Sequence, residues 1–262
     1  HPVNRRQRQM CIRDSINSLD IPLDSLPSIK PSMFNYGTNE GILKNVPITA
    51  VLGDQQASLF GQNCISSGDV KNTYGTGCFA LTNTGSDIVH SNNGLLSTVA
   101  YQKDGDKPQY AIEGSVSIAG AAVQWLRDNL NIIKESSDVE ALAMAEKDNG
   151  DVYFVPAFSG LFSPHWDETA RGVLVGLSRF SNKSHIARAV LESVAYQSNE
   201  LLESMEKDIG ITFESVNVDG GMVVNNLLMQ FQSDIFNKKV ISQEINEITA
   251  LGAGAALSLI HI

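Results

Sequence analysis

Residues 46–79 read VPITAVLGDQQASLFGQNCISSGDVKNTYGTGCF, and the fold turns on how this stretch divides. Residues 47–52 form a short apolar, β-branched run, which is the composition of a strand. The run stops at Gly53-Asp54-Gln55-Gln56, so a carboxylate and an amide sit where a strand gives way to the next segment. In open α/β sheets ligands collect at that carboxyl end of the strands. Further on, Thr73-Tyr74-Gly75-Thr76-Gly77 sets two glycines around a hydroxyl, a composition suited to wrapping backbone N–H groups around an anion. An acid at a strand end followed by a Gly-Thr-Gly turn suggests transfer of a phosphoryl group to a small hydroxylated molecule.

Upstream, residues 16–36 are turn-rich, with Pro22, Pro27 and Pro31, and read as a connecting segment. Downstream, Ala57, Leu59 and Phe60 suit a short helix over 55–62 that ends at Gly61. Tyr74, Cys78, Phe79 and Leu81 alternate around glycines over 71–83, which is a hairpin pattern. With short strands at 95–101 and 109–113 this predicts a β-meander opening a new domain near residue 64. Ile118, Ala122, Trp125 and Leu126 recur at helical spacing over 117–130. The first turn of that helix, Ala119-Gly120-Ala121-Ala122, is unusually small. It implies either close helix–strand packing or room for a ligand's ring.

A weaker helix is expected at 140–147, strands at 152–157 and 173–177, and a loop between them carrying Trp166 and Arg171. Residues 185–208 are the strongest helix, striped by Ile186, Val190, Val194, Leu201 and Met205, with Asn182 or Ser184 as its cap. A strand at 215–219 breaks at Gly220-Gly221 before a helix at 225–236. Strand, paired glycines and helix is the arrangement that lets backbone approach a nucleotide closely, though plain tight turns use the same residues. A last strand at 239–241 and a helix beginning at 249–256 complete the pattern, with no internal repeat.

The two ends read differently from the rest. Arg5 to Asp14 match the translation of a transposase adapter used in sequencing libraries, and residues 257–262 match its reverse complement. Residues 1–15 and 257–262 are therefore expected to be adapter sequence, leaving a body of 16–256 cut at both sides. The chain is 42% hydrophobic and 18% charged, as expected of a globular protein with a sizeable core. Its formal net charge is −10, and without the net +3 of residues 1–15 the body is near −13, which argues against a nucleic-acid partner. Of three cysteines only Cys64 and Cys78 lie in the body, too few for a disulfide framework or a metal cluster; two half-buried thiols are expected. No apolar run approaches the ~20 residues needed to span a bilayer.

At GDQQASLFGQ and KNTYGTGCF the sequence resembles the FGGY family of carbohydrate kinases, and within it the members that phosphorylate glycerol. The likeness continues through Gln124-Trp125-Leu126-Arg127-Asp128, Val155-Pro156-Ala157-Phe158, Gly172-x-Leu174-x-Gly176-Leu177, Val218-Asp219-Gly220-Gly221 and Thr249-Ala250-Leu251-Gly252, covering essentially all of 16–256. It implies a two-domain α/β fold of the actin-like ATPase, ribonuclease H-like type, with substrates in the cleft. Residues 16–63 would close the first domain on the substrate side, and 64–256 would form most of the second, on the nucleotide side.

By the same resemblance Asp54 is the catalytic base that takes a proton from glycerol, Gln55 a glycerol contact, and Phe79 an apolar wall. Thr76 and Gly77 would meet the transferring phosphate; Gly120, Gln124, Gly221 and Asn225 would line the ATP site. Mg²⁺ is expected mainly on ATP oxygens and water, with no protein ligand set assigned. Cytoplasmic location and a homo-oligomer in the full-length enzyme are implied as well, and the piece alone is expected to be inactive. Another sugar or polyol kinase of the family, and more remotely a non-enzymatic actin-like ATP-binding domain, are the alternatives.

Overall fold

A computed structural model describes residues 16, 18–245 and 247–258 of the protein. The adapter reading at 1–15 lies outside the described residues, as does that at 257–262 except for residues 257 and 258, which end the last helix. The strands are β1 (Val70–Tyr74), β2 (Cys78–Gly85), β3 (Leu96–Tyr101), β4 (Gln109–Val116), β5 (Tyr153–Val155), β6 (Val173–Val175), β7 (Ser215–Asp219) and β8 (Lys239–Ser242). The helices are α1 (Asp54–Gly61), α2 (Gly120–Asp128), α3 (Asp138–Ala143), α4 (Lys183–Ile209), α5 (Asn226–Phe236) and α6 (Ile248–Ser258).

Six strands form one sheet in the order β3-β4-β2-β1-β7-β8, and β5 and β6 pair separately. The β1–β2 hairpin is antiparallel as expected, while β7 runs parallel to β1 and to β8. The predicted meander is not what forms. β2 pairs with β4, and β3 lies outside β4 at the edge. The burial of the two strands explains the order. β4 buries Ala111, Ile112, Gly114 and Val116, whereas β3 buries only Ala100, so β4 fits an inner position and β3 an edge.

The expected strand at 47–52 is also corrected. These residues are extended but belong to no sheet strand. They pair back on 32–38 through Phe34 N–H to the Thr49 carbonyl, Ile48 N–H to the Gly37 carbonyl and Val51 N–H to the Ser32 carbonyl. β-branched composition favours extended backbone wherever a partner is available, and the nearest partner here is the segment just upstream. Ile48 and Val51 stay exposed on this ribbon, and residues 32–38 are part of it rather than free linker.

Helices cover both faces of the sheet. α4 bridges two cores. Its later turns, with Val194, Leu201 and Met205, pack on Val70, Ala80, Ile112 and Val218 of the sheet. Its earlier turns, with Ala187, Val190 and Leu191, pack with Leu126 of α2 and Phe154 of β5, where Trp125 stacks on Phe154 at 5.5 Å. The helix is closed at both ends by its own sequence. Asn182 accepts from the Ser184 and His185 N–H groups, His185 returns a bond to Asn182 N–H, and Gly210 ends the helix at φ 70°.

On the other face α1 packs on Leu81 and Ala111 through Leu59, and lies against α6 with almost no side chain between them. A Cβ on Gly252 would lie 1.9 Å from the Ala57 carbonyl oxygen, and one on Gly61 would lie 2.3 Å from the Ile248 carbonyl oxygen. The two helices therefore touch backbone to backbone along the middle and end of α1. Cys64 and Cys78 are fully buried rather than half-buried; burial pushes both thiols up to about 12. Among the described residues no helix is long and apolar enough to cross a membrane.

Candidate active site

β1 and β7 lie side by side and parallel, with Thr73 opposite Asp219. The turns that follow them, Gly75-Thr76-Gly77 and Gly220-Gly221, consequently leave the sheet at the same edge. The N-terminus of α2 docks on the first turn: Ala119 and Ala121 N–H donate to the Thr76 carbonyl at 2.9 and 3.1 Å, and Gly120 N–H to the Gly75 carbonyl at 3.0 Å. A Cβ on Gly120 would lie 2.6 Å from the Gly75 oxygen, so the small first turn of α2 is accounted for by close packing. Met222 N–H reaches the Tyr74 carbonyl at 3.3 Å, joining the second turn to the first.

This edge brings together the residues expected around a nucleotide. Thr76 is exposed at the tip of its turn and Gly77 is buried beneath it, where a Cβ would lie 2.4 Å from the Val116 carbonyl oxygen. Gln124 is exposed one turn along α2 from Gly120. Asn225 is buried and caps α5 by accepting from Leu228 N–H at 2.8 Å, while Glu140 of α3 accepts from Leu227 N–H at 3.0 Å. The paired glycines differ sharply. Gly220 has φ +97° with a Cβ position 2.4 Å from the Tyr74 oxygen, whereas Gly221 faces open space with nothing within 4 Å. Gly220→Ala is expected to cost about 1–3 kcal/mol of stability, and Gly221→Ala to stay within about 0.5 kcal/mol of the parent. Urea unfolding of the two variants checks the difference.

Asp54 is the first residue of α1, where the unpaired N–H groups of a helix start favour a carboxylate. It is exposed, and its Oδ1 accepts from Gln55 N–H at 2.8 Å. Its place differs from the expected one: it follows the extended ribbon, not a sheet strand. What brings it to the sheet is α1 lying across β1 and β2. Gln55 is half-buried, and Phe79 of β2 is 36% exposed on this face.

Between α1 and the sheet runs a buried polar stripe that carries no motif signal. Lys71 of β1 is fully buried, and its ammonium donates to Gln55 Oε1, to Thr73 Oγ1 at 2.9 Å and to the Phe79 carbonyl at 3.1 Å. Ser58 of α1 donates to Asp219 Oδ2 at 2.8 Å. Burial lowers Lys71 from 10.5 to about 8, with attraction to Asp219 opposing the shift. A base with a lowered folded value binds fewer protons folded than unfolded, so stability should rise with pH between about 8 and 10.5.

Among the described residues no group of three or more His, Cys, Asp and Glu side chains could hold a metal by itself. Asp54 starts α1 and Asp219 ends β7, and Asp219 Oδ1 is buried without a hydrogen-bond partner. A sparse oxygen set of this kind fits Mg²⁺ that brings most of its ligands as phosphate oxygens and water. A separate concavity of about 510 Å³ between β5 and α4, lined by Tyr153, Phe162, His165, Tyr196 and Glu200, contains none of the expected site residues.

The model of the FGGY family of carbohydrate kinases, C-terminal domain, matches residues 70–258. The glycerol kinase of Brucella anthropi is 58% identical over 247 residues, covering 94% of this chain and 50% of that protein. That of Methylobacterium radiotolerans is 54% identical over 93% of this chain and 49% of its own length. The chain thus spans about half the length of the curated relatives it matches. Among solved structures, Plasmodium falciparum glycerol kinase with ADP superposes with a TM-score of 0.85 at 40% identity, over 96% of this chain and 50% of that one. A ligand-bound xylulose kinase from Lactobacillus acidophilus shares the fold at a TM-score of 0.80 and 23% identity, over 94% of this chain and 51% of its own. The sheet order, the two glycine turns at one edge and the match across 70–258 agree: the chain belongs to the FGGY family of carbohydrate kinases.

Proposed function

We propose that the full-length protein transfers the γ-phosphoryl group of ATP to glycerol, giving glycerol 3-phosphate. The observation that carries this reading is the convergence on one sheet of Asp54-Gln55, at the start of α1, and the Gly75–Gly77 turn after β1. Phosphoryl transfer needs an oriented hydroxyl, a proton acceptor and neutralised phosphate charge rather than covalent help from the protein. Asp54 takes the proton of the attacking hydroxyl, Gln55 hydrogen-bonds the polyol, and Phe79 packs on its carbons. Thr76 and the N–H groups around it meet the transferring phosphate, where negative charge gathers. Gly120, Gln124, Gly221 and Asn225 line the nucleotide, Gly221 offering a backbone surface with open space before it.

Mg²⁺, when bound, neutralises phosphate charge; Asp54 and Asp219 are the residues that would hold it, chiefly through water. Residues 16–63 belong to the substrate side in this reading and 64–256 to the nucleotide side. It also carries a cytoplasmic location and homo-oligomeric assembly. The absence of a nucleic-acid partner is supported by the net charge of −10.

The 54–58% identity to glycerol kinases favours glycerol over a pentulose. A substrate panel on the full-length protein tests the choice. ADP release should depend on glycerol and respond weakly to xylulose, ribulose and gluconate. Faster turnover of a pentulose would reassign the substrate, and ATP binding with no polyol-dependent ADP release would point to a non-enzymatic ATP-binding domain. In the same assay Gly221→Ala should raise the KM for ATP while leaving that for glycerol unchanged.

A further inference from the structure

We infer that Lys71 is a positioning residue for the acceptor alcohol: it locks the Gln55 amide in one orientation and ties it to Phe79. This rests on the polyol-kinase reading of the site. The geometry is specific. Lys71, Thr73 and Phe79 project from one face of the β1–β2 pair, where Thr73 is opposite Phe79 and Lys71 opposite Leu81. From the second of these strands the Phe79 carbonyl, and from the start of α1 the Gln55 amide, both turn to the same ammonium.

A glutamine amide has two nearly isosteric faces, a carbonyl oxygen and an NH₂, which packing alone distinguishes poorly. A lysine ammonium can only donate, so the side facing Lys71 must be the oxygen. The NH₂ is thereby turned to the opposite side and can only donate to the alcohol. Asp54, as a carboxylate, can only accept. The pair thus presents one donor and one acceptor in fixed order, the pattern a hydroxyl meets when it accepts from one neighbour and gives its proton to the other.

The donor count of Lys71 is also filled. Three N–H groups meet three acceptors, Gln55 Oε1, Thr73 Oγ1 and the Phe79 carbonyl. A neutral amine has two, so on losing its proton Lys71 must release one of these partners. The charged or titratable groups whose fields reach it are Asp54 on α1, Asp219 on β7, Glu113 on β4 and Cys64 after α1, and burial brings its own value to about 8.

The test is made on the full-length protein. Lys71→Met should raise the KM for glycerol at least tenfold with the KM for ATP changed less than twofold, and Lys71→Arg should restore part of the loss. Gln55→Ala should raise the glycerol KM as well, and adding Lys71→Met to it should do no further harm, because both remove the same orientation. Additive losses, or equal shifts in both KM values, would overturn the inference. Should Lys71→Met not fold, the parent protein supplies the readout: its glycerol KM should climb as pH passes from 7.5 to 9.5, and Gln55→Ala should abolish that climb. A flat profile would count against it. The Lys71–Gln55 link is also read without substrate, as non-additive losses in urea unfolding. Coupled variants in a protein that ignores glycerol would sink the functional reading and leave the link standing, whereas additive losses there would remove the link itself.

Discussion

Asp54→Asn in the full-length protein should lower kcat by about 10²- to 10⁴-fold, the usual contribution of a positioned general base. That is about 3–5 kcal/mol of barrier. The substitution is well matched to the question. Asn keeps a side-chain oxygen at the same place, so the 2.8 Å bond from Gln55 N–H survives. What disappears is the charge and the ability to take a proton. Because Asp54 is exposed, little packing is lost, and the change at the start of α1 removes only about 0.3–1 kcal/mol of charge–dipole stabilisation. The unfolding midpoint should therefore move only slightly. Unchanged turnover in a folded variant would remove Asp54 from the chemistry.

Gly252→Ala should harm both stability and catalysis, although residue 252 belongs to α6 and to none of the expected site positions. The added methyl would sit 1.9 Å from the Ala57 carbonyl oxygen and 2.7 Å from Gly61 N, backbone atoms that cannot swing aside. The helices must separate, at a cost of about 1–3 kcal/mol or somewhat more. For a protein of this size that lowers Tm by roughly 2–4 °C per kcal/mol. The displaced partner is α1, which carries Asp54 and Gln55, so kcat should drop as well. Gly254→Ala, two residues on with nothing within 4 Å, is the control. It gains helix propensity of up to about 1 kcal/mol and should raise Tm without touching turnover. Equal behaviour of the two variants in thermal unfolding and in kcat would contradict the backbone contact.

Such backbone contacts are long-range, whereas much of the secondary structure is written locally. The β1–β2 hairpin, β7 with its glycine break, α4 and α5 were legible because periodicity and turn residues are local signals. α4 in particular has a stripe, a capping box and a glycine stop all written in adjacent residues. The order of the strands was not legible, since nothing near β3 says that β4 will pair with β2 instead; that follows from how much of each strand is buried. The run at 47–52 has strand composition yet joins no sheet, because composition favours extension without naming a partner.

Among the expected site residues, those placed beside glycines or at helix starts could be found from motifs. Lys71 could not. Its strand reads only as one arm of a hairpin, and only the fold reveals that α1 covers it and buries the lysine. Ser58 is equally silent, a helix serine until Asp219 appears beneath it. Such residues are set by contacts between segments 15 to 161 positions apart, which no short pattern records.

The central claim is that this protein carries a phosphoryl group from ATP to glycerol. Phosphorus NMR of the full-length protein with ATP, Mg²⁺ and glycerol addresses it directly. The expected result is loss of the γ-phosphate signal matched by growth of a glycerol 3-phosphate monoester signal, at a rate that collapses in Asp54→Asn. Release of inorganic phosphate at the same rate with or without glycerol would contradict the claim.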